Sequence, residues 1–360
     1  MMMMRLAVVR RAAQAASAQS PVPGAVARAS SMSCAGLANS GILRSSSQPS
    51  LAGCHMSTYC RRISSTSTRT VIATSASRLS PSTQKPHVTT RLFSTDIPEP
   101  TIDVQSIQDA IVERSTEMSE QLATNGYYTC TNFLPKSVIE LLRSQSVQLR
   151  DKGRYEPSWS EKVRDDGTVE RFDKEGVYAC EPDGQDYYDA PDLITYMSVL
   201  LQTLPVVLNG QQPTADLDLS NASFNAKLAV TSPGGSKYPL HIDNPQGLSV
   251  GDTRKLTCIL YLNPDYKEGD GGELRIFLNS KDGNEKNVLE KVDLTPEGGR
   301  ILMFFSDEIP HEVLATAPNG ANDDVSLDRY ALTVWIPTDN VAALHNEASK
   351  FCDLKDLAFP

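Results

Sequence analysis

From Asn221 onward the hydrophobic pattern of this chain runs with a period of two as far as Ile336. That period places alternate side chains on opposite faces of an extended strand. Eight runs carry it: Phe224–Thr231, Tyr238–Ile242, Arg254–Leu262, Glu273–Phe277, Val288–Leu294, Arg300–Phe305, His311–Ala315 and Arg329–Ile336. Turn formers such as Pro233-Gly234-Gly235, Asp270-Gly271-Gly272 and Asn319-Gly320 separate them. Short strands at this spacing predict a sandwich or a barrel. Upstream the spacing is helical. Ile102, Ile107, Ile111, Met118 and Leu122 share one face up to Gly126, a second helix is expected to open at Pro135 and stop at Gly153, and a third to run over residues 192–208. Tyr127–Leu134 reads as a strand, and the polar stretch 154–189 as hairpins or a mobile loop. Helices first and strands later predict an α+β fold, a β-core buttressed by N-terminal helices. One domain is expected over residues 96–345, with its core at 221–338 and a tail at 346–360.

Charge divides the chain at Thr95. Residues 1–95 hold ten Arg, one Lys and no acid, and all 44 acids follow, against 23 bases. A Ser-rich, Arg-rich, acid-free leader is expected to be a disordered transit peptide. Mitochondrial delivery is the first expectation and a plastid the second, with Arg91-Leu92-Phe93-Ser94 resembling a processing site. The acidic remainder should repel phosphates, so no nucleic-acid partner is expected. No run of 18 uncharged apolar residues occurs, so no membrane partner is expected either. After the leader, Cys130, Cys180, Cys258 and Cys352 lie far apart, which excludes a CxxC metal or redox motif.

Chemistry concentrates in a few residues. His241 and Asp243 stand two apart at a strand end and so face the same way. His311 opens a later strand. Two imidazoles and one carboxylate are the facial triad that binds non-haem Fe(II) and leaves coordination positions open. On Arg329–Ile336, alternation puts Arg329, Thr333 and Trp335 on one face. An Arg buried on a strand demands an anion, and its planar fork suits a carboxylate. The same alternation groups Thr257, Ile259 and Tyr261, with Tyr261 a second donor to that carboxylate and Ile259 a dry wall.

Five ordered motifs add a resemblance: Tyr238-Pro-Leu-His-Ile-Asp-Asn-Pro245, Arg254-Lys-Leu-Thr-Cys-Ile-Leu-Tyr-Leu-Asn263, Gly271-Gly-Glu-Leu-Arg-Ile-Phe277, Phe304–Asp307 with Pro310–Val313, and Arg329–Trp335. Together they resemble the Fe(II)- and 2-oxoglutarate-dependent prolyl 4-hydroxylase family, most closely its hypoxia-inducible-factor, oxygen-sensing branch. The resemblance implies a double-stranded β-helix (jelly-roll) core. It implies Fe(II) on His241, Asp243 and His311, and 2-oxoglutarate on Arg329 and Tyr261 with Thr333 and Ile259 nearby. It also implies O2 as cosubstrate, ascorbate as reductant, and a protein or peptide partner carrying a target proline. The collagen-type branch has Lys where this chain has Arg329. Tyr238 and Trp335 are candidate substrate contacts, and Glu161–Glu175 a candidate substrate-covering loop. Two departures stand out: Thr231 occupies the place of a Tyr in the oxygen-sensing enzymes, and Leu314–Asp328 is longer than theirs. A dioxygenase acting on a small molecule or free amino acid would share this core. An inactive binding module would have no use for the intact set. His345 has no ligand partner at useful spacing and reads as structural.

Overall fold

The computed structural model describes residues 97–163, 168–234, 237–245, 252–279, 289–317, 327–344 and 351–352. Its helices are α1 (Val104–Asn125), α2 (Lys136–Asp151) and α3 (Pro191–Asn209). Its strands are β1 (Tyr127–Cys130), β2 (Glu156–Val163), β3 (Val169–Cys180), β4 (Asn225–Thr231), β5 (Tyr238–His241), β6 (Arg254–Tyr261), β7 (Leu274–Asn279), β8 (Leu289–Leu294), β9 (Ile301–Phe305), β10 (His311–Val313) and β11 (Arg329–Pro337). The leader with its processing site, His345, and the centre of the Leu314–Asp328 insertion lie outside the described residues.

The strands form two antiparallel sheets. Seven lie in the order β1-β9-β6-β11-β4-β3-β2, and four in the order β5-β10-β7-β8. Strand alternation divides the large sheet's side chains. Leu228, Val230, Leu256, Cys258, Leu260, Leu332, Val334 and Ile336 are buried in the core shared with the helices. The opposite face carries Thr231, Thr257, Ile259, Tyr261, Arg329, Thr333 and Trp335, and Thr257 and Trp335 hydrogen-bond Asp243 beyond β5. Residues 154–189, expected as hairpins or a loop, contain the β2–β3 hairpin. Its second strand continues the large sheet, with Val177–Cys180 paired to Leu228–Thr231. The four cysteines of the described residues form no disulfide with one another, and Cys258 is a core residue as expected.

Polar groups lock the helices. The buried Asp192 carboxylate accepts from the Ile102 amide at 2.8 Å and from Gln145 Nε2 at 2.7 Å. Gln145 in turn accepts from the Asp192 and Leu193 amides, each at 3.0 Å, satisfying donors in the first turn of α3. One side-chain pair thus joins α1's entry, α2 and α3. A second set reaches the sheet. Arg143 on α2 donates to the carbonyls of Leu262 at 3.0 Å and Asp328 at 2.9 Å, and Arg150 pairs with the buried Asp328 carboxylate. Asp328 directly precedes β11, so α2 anchors the point where Arg329 enters the sheet. By length and composition alone α3 is apolar enough to cross a membrane, but in the fold Leu193, Tyr196, Met197, Leu200, Leu204 and Leu208 are all buried.

Replacing Asp192 by Ala strands several buried donors at once. Each unmade bond costs roughly 1–3 kcal/mol. Urea denaturation of Asp192→Ala should show a loss of about 3 kcal/mol; a loss below about 1 kcal/mol would contradict the locking role.

Candidate functional site

Strand register assembles the site. His241 ends β5 and His311 begins β10, and the two are direct partners across these strands. Their ring centres lie 4.3 Å apart. Asp243 follows where the chain leaves β5, with Oδ1 at 3.6 Å from His241 Nε2 and 3.8 Å from His311 Nε2. One ligand atom from each of the three lies within 4.8 Å of the others. The set can hold one metal ion.

Surrounding groups orient all three. His241 Nδ1 meets the Pro239 carbonyl at 2.8 Å, and His311 Nδ1 meets the Ile309 carbonyl at 3.0 Å. A carbonyl only accepts, so each Nδ1 carries the proton and each Nε2 presents its lone pair. Asp243 Oδ2 accepts from Thr257 Oγ1 at 2.8 Å and from Trp335 Nε1 at 2.9 Å, which leaves Oδ1 for the metal. Burial by itself would raise the Asp243 carboxyl, but His311, His241 and the Trp335 donor outweigh it and hold the group ionised. Burial and neighbouring His241 push the His311 imidazole down to about 4, so it is neutral at physiological pH, as a ligand must be.

Beside these groups, Arg329 opens β11, is 7% exposed, and forms no ion pair among the described residues. Its Nε donates to the Gly272 carbonyl at 2.7 Å, and the guanidinium carbon lies 5.1 Å from the Tyr261 ring centre. Gly272 has φ 74°, and a β-carbon there would lie 2.7 Å from Arg329 Cδ. Gly272 therefore supplies the space into which Arg329 folds. Among the described residues, the buried Tyr261 hydroxyl has no hydrogen-bond partner of good geometry, nor has that of Thr231, the residue directly opposite Arg329 on β4. A buried cation without a carboxylate, next to two orphaned hydroxyls, fits a bound carboxylate. Thr333 and Ile259 face each other across β11 and β6 on the same side, with Ile259 buried.

The structure thus brings His241, Asp243, His311, Arg329, Tyr261, Thr333 and Ile259 to one face of the large sheet and its neighbour. Tyr238 stands at the start of β5. Trp335, expected as a substrate contact, spends its indole N–H on Asp243. Alternation groups Thr257 with Ile259 and Tyr261, but its bond to Asp243 and its 2.8 Å contact with Ser306 Oγ span elements remote in sequence.

Residues 226–337 match the family model described as the 2OG-Fe(II) oxygenase superfamily. The chain carries a 2OG-Fe(II) oxygenase domain. The matched residues of this oxygenase domain run from β4 through the last residue of β11 and include every site residue named above. Among curated relatives, the hypoxia-inducible factor prolyl hydroxylase of Caenorhabditis elegans is 26% identical over 240 residues, covering 64% of this chain and 30% of the relative. Egl nine homolog 1 of Homo sapiens is 29% identical over 219 residues, covering 59% of this chain and 43% of the relative. The chain therefore spans less than half the length of either. A prolyl hydroxylase from Trichoplax adhaerens, solved with a hypoxia-inducible factor oxygen degradation domain peptide, is 26% identical, with a TM-score of 0.49 over 68% of this chain and 97% of that one. A Pseudomonas putida prolyl-4-hydroxylase structure gives 26% identity and a TM-score of 0.46, covering 62% of this chain and 98% of its own.

Groups that orient metal ligands typically contribute about 10–100-fold to metal affinity. Thr257→Val removes one of the two donors to Asp243 at nearly constant volume. Calorimetric titration with Mn(II) should show affinity weakened by at least about 10-fold. Unchanged affinity would remove Thr257 from the metal-orienting set.

Proposed function

We propose that this chain is an Fe(II)- and 2-oxoglutarate-dependent dioxygenase that 4-hydroxylates a prolyl residue in a protein or peptide. The observation that carries the reading is a buried Arg329 with no carboxylate partner among the described residues, set beside three groups whose ligand atoms converge. The prolyl hydroxylases among its relatives support the choice of substrate. In this reading the two sheets are the halves of a double-stranded β-helix, and α1–α3 support its large sheet.

His241 Nε2, His311 Nε2 and Asp243 Oδ1 hold the iron. Arg329, with the Tyr261 and Thr231 hydroxyls, takes the far carboxylate of 2-oxoglutarate, while Thr333 and Ile259 line its path. The iron and 2-oxoglutarate together supply the oxidising chemistry, in which dioxygen and 2-oxoglutarate give succinate and carbon dioxide while a substrate C–H becomes C–OH. Ascorbate is the reductant we assign to the iron. The protein's own work is placement. The peptide carbonyls of Pro239 and Ile309 keep both imidazoles in one tautomer, and Thr257 and Trp335 keep Asp243 from rotating. Ile259 and the buried Tyr261 ring keep water from the Arg329 end, which strengthens the charge pairing there. Thr231 replaces a bulkier Tyr of the oxygen-sensing enzymes, so its hydroxyl serves as the short donor from β4. Tyr238 faces the substrate. The leader delivers the domain to mitochondria and is removed near Ser94; N-terminal sequencing of the endogenous protein tests this, and an intact leader on the main cellular form contradicts it.

Purified protein should convert 2-oxoglutarate to succinate only with Fe(II), and His241→Ala should abolish conversion. Arg329→Ala should raise the KM for 2-oxoglutarate by roughly 10–100-fold, the weight of a charge-assisted hydrogen bond. Arg329→Lys should recover part of that loss, since Lys keeps the charge without the planar fork. Wild-type KM in both variants would show that another cation holds the cosubstrate.

A further inference from the structure

Several cations that are buried or half-buried away from the site are paired with a carboxylate. Lys255, 1% exposed, sits 3.0 Å from Asp307 and 2.9 Å from Glu308. Arg150 has Asp328, and Arg254, whose guanidinium lies over the Trp335 ring, has Asp252. Arg329 breaks the pattern, and the bound carboxylate of 2-oxoglutarate accounts for it. Two further cations also break it. Lys174 and Lys227 are both half-buried, and neither forms an ion pair or a hydrogen bond with any described residue.

Both belong to the site's face of the large sheet. Lys227 is the partner of Thr333 across β4 and β11, so its side chain leaves the sheet on the side of Thr333, Arg329 and Ile259. Lys174 comes from β3, which pairs with β4 on its other side. Gly176 (φ 67°) interrupts the alternation of β3, and the Lys174 ammonium lies 4.2 Å from the centre of the Tyr238 ring. Tyr238 starts the strand that ends in His241. The two ammonium groups therefore reach the site from the β3–β4 side, and the Asp243 charge acts on both.

Their electrostatics is unbalanced. Burial, together with the charge of Lys227, pushes Lys174 down to about 8, and burial also lowers Lys227. The acids that act on them are Asp243, committed to the metal, and for Lys227 also the exposed Glu181. Two like charges held near each other and half out of water are stabilised by an anion placed between them. The two carboxylates of 2-oxoglutarate do not meet this need if one lies on Arg329 and the other at the iron.

We propose that Lys174 and Lys227 form a second anion subsite on the substrate side of the metal, and that the molecule hydroxylated carries a carboxylate next to its target carbon. This rests on the function proposed above and narrows it. The carboxylate has two sources: an acidic residue flanking the target proline in a peptide, or the α-carboxylate of a free amino acid. Lysine ammonium groups serve either as point charges without demanding planar geometry.

The test uses the full chain loaded with Mn(II) and 2-oxoglutarate, so that binding is read without turnover. The probes are fluorescein-labelled 13-residue peptides with one central proline, identical except for Glu or Gln beside it, and free L-proline as competitor. Fluorescence anisotropy should show the Glu peptide bound at least about 10-fold more tightly than the Gln peptide, as expected for a charge-assisted contact. The preference should vanish in Lys174→Met/Lys227→Met, and Lys227→Glu should reverse it toward a Lys-flanked peptide. Displacement of the label by L-proline, lost in the same double variant, would support the subsite and assign the free amino acid as its source. With the Fe(II) enzyme, the double variant's penalty should fall on the KM of the carboxylate-bearing substrate. Equal affinity for both peptides without competition by L-proline would overturn the proposal. So would a penalty confined to the KM for 2-oxoglutarate, which would assign the lysines to the cosubstrate. A wild-type chain that selects the Glu peptide yet makes no succinate would keep the subsite and overturn the dioxygenase reading instead.

Discussion

The site is organised around a buried guanidinium, Arg329, that has no carboxylate partner among the described residues. Isolated, Arg329 would cost several kcal/mol, and no folded chain keeps such a group in place without fixing its surroundings. Here the fixing is visible at both ends. Gly272 gives up its side-chain volume and lends its carbonyl to Nε, and Arg143 and Arg150 on α2 hold Asp328, the residue just before β11. Tyr261 and Thr231 wait with unmet hydroxyls on the neighbouring strands.

The metal end follows the same logic of directed lone pairs. Asp243 divides its oxygens, one toward Thr257 and Trp335 and one toward the imidazoles. Each imidazole is oriented by a peptide carbonyl two residues earlier in the chain, so a short local turn sets the tautomer on each strand. Because His241 and His311 are register partners, a slip of one residue between β5 and β10 would turn one ring away from the other. Strand pairing, rather than flexible side-chain adjustment, positions the site.

Much of this was legible in the sequence because it rests on strand periodicity. Alternation alone set Arg329, Thr333 and Trp335 on one face, grouped Thr257, Ile259 and Tyr261, and paired His241 with Asp243. The three helices and most strand positions follow from the same periods. What alternation does not carry is which sheet meets which, so the bonds of Trp335 and Thr257 to Asp243 are not legible in it. The hairpin of β2 and β3 was ambiguous because its residues are polar and Gly176 breaks the alternation before Lys174. The same break concealed that Lys174 lies over Tyr238. Gly271-Gly272 was recognisable as a turn, but the function of Gly272 as the space for a side chain 57 residues away depends on packing that no local pattern encodes.

If two charged ends meet in one site, binding of 2-oxoglutarate must depend on both the metal and Arg329. The most direct measurement is a calorimetric titration of 2-oxoglutarate into the protein without oxygen, with and without Mn(II), for wild type, His241→Ala and Arg329→Ala. The account predicts one molecule bound per chain, tightened by the metal in wild type, insensitive to it in His241→Ala, and lost or strongly weakened in Arg329→Ala. Binding that is equally tight in all three proteins, with or without metal, would contradict it.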